Sequence, residues 1–243
     1  YGGYNTLQSD LSINFLAYGE MRGDAFYNNA FNVNADKVVN NSLDNNIFWA
    51  SWYNYYRVIK QANAVIKFTP QVLEAGGISA EKADDVMGQA YCLRAFTYFW
   101  IIRIWGDAPL VTAPYLDSND SFDLPKAAVA DIVEQIHSDL ENASNMIDKN
   151  STSRTTFTQT AAYAINAHVY AWEHKYEETI NMADKVLTNT NYTLANLYDE
   201  KYTGTTDDVK NKNFKALVQA SEYAQIFNTG RSKESIFELA SNV

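Results

Sequence analysis

The chain has 243 residues, 47% of them hydrophobic and 14% aromatic, enough apolar surface to build a substantial core, so a wholly disordered chain is excluded. A formal net charge of −10 without a basic stripe excludes a nucleic-acid partner and a polybasic grip on anionic lipid. Only 10 glycines and 4 prolines favour a mainly α protein over a turn-rich sandwich or barrel.

Leu7, Leu11, Phe15 and Tyr18 recur at helical spacing and predict a first amphipathic helix over residues 4–18. From Gly19 to Asn46 the chain is crowded with Asn, Asp and aromatic residues and keeps no sustained period. This predicts a long loop, and loops of that length in compact domains are commonly functional. A second helix is predicted from Ile47 to Phe68, with Trp49, Trp52, Tyr56, Ile59, Asn63 and Ile66 at three- and four-residue steps and Pro70 as its stop. The third is the most apolar: from Tyr91 to Trp105 only Arg94, Thr97 and Arg103 interrupt the run, which predicts a helix with neighbours on every side. Ser79 is its candidate N-cap, and Gly106 with Pro109 marks its end. Arg94 and Arg103 fall on opposite faces, and each needs a carboxylate or carbonyl partners because an unpaired buried charge is costly.

Residues 112–122 read as a crossing loop. A fourth helix is predicted from Asp123, with Pro125 in its first turn and Val129, Ile132, Val133, Ile136, Leu140, Ala143 and Ile147 along one face. A fifth runs from Thr158 through Trp172, and a sixth from Tyr176 to Leu187 after a break at His174 and Lys175. Small residues, Ala164, Ala167 and Ala183, let this pair approach closely; its spacing resembles a tetratricopeptide unit, with Thr179 where that repeat usually has alanine. The third and fourth helices look like another such pair. Residues 203–213 form a polar loop, and ESIFELA from Glu234 alternates as a short strand near the C-terminal end.

Chemistry-bearing patterns are sparse. The lone Cys92 lies inside the apolar third helix, where a free cysteine is usually buried and inert. His137, His168 and His174 share no ligand spacing, so no metal and no cofactor is expected. There is no G-x-S-x-G elbow, phosphate loop or dinucleotide fingerprint. Glu134, Glu141, Glu177 and Glu178 fall on polar helix faces, which favours solvated surface over catalysis, and no catalytic residue is assigned. The apolar run of the third helix is too short and too charged to span a membrane, and an opening at Tyr1 without Met reads as a processed form.

Several ordered motifs resemble the N-terminal half of SusD/RagB-type outer-membrane nutrient-binding lipoproteins. Trp52, Tyr56, Ile59 and Asn63 follow the family's W-x3-Y-x2-I-x3-N helix. Gly88, Ala90, Leu93, Arg94, Ala95, Gly106, Asp107 and Pro109 follow its G-x-A-x-x-L-R-A…G-D-x-P signature, and Ile136, Asp139, Leu140 and Ala143 its I-x-x-D-L-x-x-A helix. Arg154, Ala161, Ala162, Ala167, Tyr170, Tyr176, Ala183 and Val186 follow the next helix pair, and Glu234, Ile236, Phe237 and Glu238 the E-x-I-F-E strand.

The resemblance implies one SusD-like domain over residues 1–243, truncated at its C-terminus and folded as a right-handed α-α superhelix of tetratricopeptide-like pairs. It also implies a surface-exposed lipoprotein of the outer membrane, held by an N-terminal lipid anchor absent from this chain. Such a protein partners a SusC-like TonB-dependent transporter and captures oligosaccharide, or peptide in RagB-like members, without enzymatic activity. An α-helical glycoside hydrolase and a protein-binding tetratricopeptide scaffold are the readings from other classes. Within the motifs, Asp139 is placed to meet Arg94 as a structural ion pair and Trp52 to serve the core. Sugar recognition needs aromatic faces flanked by Asn, Asp and Arg. Arg22, Asp24, Tyr27, Asn28, Asn29 and Phe31 in the long loop, with Trp49 just beyond it, have that composition and are the candidate ligand-binding residues.

Overall fold

The computed structural model describes residues 1–23, 27, 32–117, 123–192 and 236–237. The chain divides into two compact units, one built on residues 1–148 and the other beginning at Lys149. Both are helical, and among the described residues the only pairing of extended backbone is an isolated bridge between Ala108 and Ala127. Of the segment expected as a strand, Ile236 and Phe237 are described and the remainder lies outside the described residues.

The first unit opens with α1 (Gly2–Thr6), a π-helical turn (Leu7–Leu11) and α2 (Ser12–Gly19). Leu7 and Leu11 are fully buried, as their spacing predicts, and the wider turn between the two helices keeps both on the core side. Phe15 packs its ring against Trp100 at 4.5 Å and edge-on to Phe96 at 5.7 Å. Within the segment expected to be all loop, α3 (Val33–Val39) forms, its start capped by the Asn32 side chain, which accepts from the Asn34 and Ala35 amides. The seven residues are too few to show a period, so only the cap could have signalled it.

The second predicted helix starts later and ends later than expected. Trp49 lies in a separate 3-10 turn (Phe48–Ala50), and α4 runs Tyr53–Glu74 straight through Pro70. Pro70 forfeits one helical hydrogen bond, but the turn beyond it is closed by Gly76 at φ 72°: its amide reaches the Leu73 carbonyl and that of Gly77 the Val72 carbonyl. That glycine closure, rather than the proline, ends the helix.

Next, α5 (Ala80–Trp105) is the predicted buried helix, with Ser79 accepting from the Lys82 amide at its start and Gly106 at φ 73° at its end. It packs against α4 on one side and α6 (Val129–Met146) on the other. The approach to α6 is close at Gly88, where a Cβ would lie 2.9 Å from the backbone nitrogen of Ile147. Residues 123–128 are not the first turn of α6, contrary to expectation. The Ala127 amide bonds to the Ala108 carbonyl and the Val129 amide to Asp107 Oδ1, so the segment is drawn to the end of α5 and coils only after it.

In the second unit, Thr158 caps α7 (Gln159–Trp172) and the turn to α8 (Tyr176–Leu187) is as predicted. His174, at φ 63°, takes the left-handed position of that turn. Asn189 donates to Thr160 at 2.7 Å, and the Phe157 ring stacks on Phe237 at 4.3 Å.

Candidate functional site

The first unit carries a groove of about 460 Å³ between α4 and the extended segment that follows α5. One wall is a helical stripe. Trp52, Tyr56 and Lys60 recur every four residues, so their side chains rise on one face of α4, with Tyr53 and Arg57 as a parallel pair beside them. The Trp52 and Tyr56 rings lie 5.9 Å apart and 32° from coplanar, forming a nearly continuous aromatic surface. Pro109, Val111, Ala113, Pro114 and Tyr115 make the opposite wall, with Leu124 at its end.

An extended segment has no internal hydrogen bonds, so something must hold this wall in place. Tyr56 donates its hydroxyl to the Pro109 carbonyl at 2.7 Å, and Asn63 donates its amide to Val111 and Ala113 carbonyls at 2.9 and 3.3 Å. From α5, the Val111 amide donates to the Tyr98 hydroxyl at 2.6 Å, and Arg94 Nη1 to the Thr112 carbonyl at 3.0 Å. The segment is thereby hung from two helices along its length.

Arg94 is the centre of that suspension. Its Nε and Nη2 form a bidentate pair with Asp139 at 2.8 and 2.7 Å, its Nη1 also donates to Asn63 Oδ1 at 2.6 Å, and the side chains are 4% and 0% exposed. Gln135 donates a further bond to Asp139 at 2.8 Å. Burial raises the pKa of the Asp139 carboxyl, and the Arg94 hydrogen bonds and charge pull it back down. The predicted ion pair is therefore present, and it positions the groove wall. Arg103 differs from expectation: it is exposed, donates to the Phe99 carbonyl, and lays its guanidinium over Phe99 and Trp100 at 4.3 and 4.2 Å.

Burial pushes the Tyr56 and Tyr98 hydroxyls well above the ordinary phenol value, so both remain protonated, and the Tyr98 hydroxyl donates in turn to the Val111 carbonyl at 3.2 Å. It does the same to the Cys92 thiol, which stays a neutral packing group. Among the described residues no three His, Cys, Asp or Glu side chains converge as metal ligands, and no helix is long and apolar enough to cross a membrane.

Of the candidate loop residues, Arg22 donates to Asn41 Oδ1 at 2.8 Å, Tyr27 is 82% exposed, and Trp49 is half-buried in its 3-10 turn. Asp24, Asn28, Asn29 and Phe31 lie outside the described residues. The loop is tied back on itself: Asn34 accepts from the Phe48 amide at 3.0 Å, and Lys37 pairs with Asp44 at 2.6 Å. Trp52, expected in the core, is half-buried and lines the groove. The sequence carried the Trp52–Tyr56–Lys60 stripe, but nothing in it showed that Tyr115 and the prolines stand opposite.

Residues 4–171 match the family model described as "Starch-binding associating with outer membrane". The chain belongs to the SusD-like family. SusD-like protein P38 of Formosa agariphila is 26% identical over 197 residues, which cover 79% of this chain and 37% of that protein. A SusD superfamily protein from Bacteroides thetaiotaomicron has the same fold at a TM-score of 0.70 and 22% identity, over 82% of this chain and 48% of that one. A laminarin-binding SusD-like protein superposes at 0.66 with 19% identity, over 84% and 46% of the two chains. This SusD-like chain thus spans less than half the length of each of these relatives.

Proposed function

We propose that this SusD-like protein is the glycan-binding component of a cell-surface nutrient uptake complex. It captures oligosaccharide and passes it to a SusC-like, TonB-dependent transporter, held at the outer membrane by an N-terminal lipid anchor. The observation that carries this reading is the family match over residues 4–171, more than half the chain. The laminarin-binding relative with the same fold supports a carbohydrate as the ligand.

The groove supplies the chemistry that sugar capture requires. Pyranose rings stack their C–H faces on aromatic surfaces, and Trp52, Tyr53, Tyr56 and Tyr115 offer such surfaces on both walls. The buried suspension keeps the walls at a fixed separation before ligand arrives, which lowers the ordering cost of binding. By composition we also propose Arg22, Asp24, Tyr27, Asn28, Asn29, Phe31 and Trp49, from the stretch of sequence before α4, as ligand contacts. The role is binding without bond cleavage.

Affinity gel electrophoresis of the full-length protein against a panel of polysaccharides tests the reading. At least one polysaccharide retards the native protein, and Trp52→Ala abolishes the retardation while the far-UV spectrum is kept. Tyr27→Ala and Trp49→Ala report separately on the loop. Binding to peptides with no retardation by any polysaccharide moves the protein to the peptide-importing branch of the family. Turnover of an oligosaccharide that is lost on neutralising one acid makes it a hydrolase instead.

A further inference from the structure

We propose that the groove takes an anionic sugar unit, one bearing a carboxylate or a sulfate ester, which deepens the glycan-binding reading and rests on it. The chain as a whole is acidic, with 29 Asp and Glu against 19 Lys and Arg, yet the described residues lining the groove include Arg57 and Lys60 and no carboxylate. A third cation, Lys126, stands with its Nζ 5.6 Å from the centre of the Trp52 ring. Three positive charges on one aromatic groove run against the composition of the protein.

The state of those cations matters more than their number. Lys60 is exposed and has no ion-pair partner among the described residues. Lys126 is exposed, and its ammonium faces the Trp52 ring. Arg57 is partly neutralised by Asp10 at 2.9 Å, but that bond and the one to Asn54 both use Nη1, which leaves Nε and Nη2 available to a ligand. The guanidinium lies 5.8 Å from the centre of the Tyr53 ring, which also lines the groove.

A sugar stacked on Trp52 and Tyr56 has its substituents at the ring edge, within reach of lysines at either end of the stripe. A carboxylate or sulfate there forms charge-assisted bonds that a hydroxyl cannot match. Aromatic stacking holds the ring in either case, and the lysines discriminate by charge.

The test uses matched probes with the full-length protein: polygalacturonate against its fully methyl-esterified form, and dextran sulfate against dextran, in affinity gels and by calorimetry. At least one charged probe binds more tightly than its neutral partner, and the preference falls as salt is raised. The Lys60→Gln, Lys126→Gln double variant, at two exposed positions, loses about tenfold in affinity for that probe and flattens its salt dependence, with the far-UV spectrum kept. Which pair responds distinguishes carboxylate from sulfate. Equal binding of charged and neutral partners, or an unaffected double variant, overturns the anionic preference and leaves glycan binding standing. Tighter binding of poly-glutamate than of any polysaccharide assigns the cations to an acidic peptide and overturns the proposal. Failure to bind any glycan in the panel overturns both readings together.

Discussion

Two regions of the first unit use charge in opposite ways. Around α5, one arginine is almost wholly removed from water and spends its donors on a carboxylate, an amide and a backbone carbonyl. In the excursion between α2 and α4, Arg22 and Lys37 make equally short contacts to Asn41 and Asp44 at the surface. Hydrogen-bond length alone does not distinguish the two regions. What does is the cost of removing a partner: water replaces it at the surface, and nothing replaces it in the core.

The sharpest way to break this comparison is at Arg94. Arg94→Ala leaves Asp139 buried without its cation and is expected to cost about 3–5 kcal/mol, read as a lowered denaturant midpoint. Combining Arg94→Met with Asp139→Leu removes both charges and recovers most of that loss. A double variant no more stable than the single one would show that the pair is not the source of the cost.

A smaller effect is expected at the crossing of α5 and α6. Gly88→Ala places a Cβ against the Ile147 backbone and Met146, and costs about 1–3 kcal/mol unless the helices separate. An unchanged midpoint would mean that the crossing is looser than its geometry.

The groove wall carries a pH signature. Burial raises the pKa of Tyr55, Tyr56 and Tyr98 above the ordinary phenol value of 10.0, so the folded state holds these protons where the unfolded chain releases them. Their contribution to stability is complete below pH 10 and is lost as pH rises through the folded values. In alkaline titration by ultraviolet absorbance, these three of the 17 tyrosines ionise only with unfolding. Their smooth titration with the rest would contradict the donor roles of Tyr56 and Tyr98.

The smallest effect lies in the excursion. Lys37→Ala, which breaks the surface pair with Asp44, is expected to leave the denaturation midpoint unshifted at any salt concentration. A shift approaching that of Arg94→Ala would erase the distinction between the two regions.

The legible part of the molecule follows the same division. The third predicted helix, its Ser79 cap and its Gly106 end are readable because apolar runs and caps are local signals. Even the Arg94–Asp139 pair is readable once the motifs align, since a buried arginine must be answered. Pro70 misleads because the Gly76 closure, six residues on, decides where α4 stops. The groove is half legible: its helical wall obeys a period, while Pro109–Tyr115 has none and is placed by side chains far away in sequence. Trp52 reads as core because a stripe facing a groove and a stripe facing a helix have the same spacing.

Asn63 is one side chain that bonds Arg94 through its oxygen and two carbonyls of the groove wall through its nitrogen. This amide is one of the ties that set the width of the groove, alongside Tyr56, Tyr98 and Arg94. Asn63→Gln, one methylene longer, shifts the attachment by about 1.5 Å. Trp52 and Lys60, by contrast, line the groove without bonding its extended wall. Ligand preference in this scaffold is therefore free to drift through surface substitutions while the frame that spaces them stays constant, so one buried lattice can serve many different cargoes.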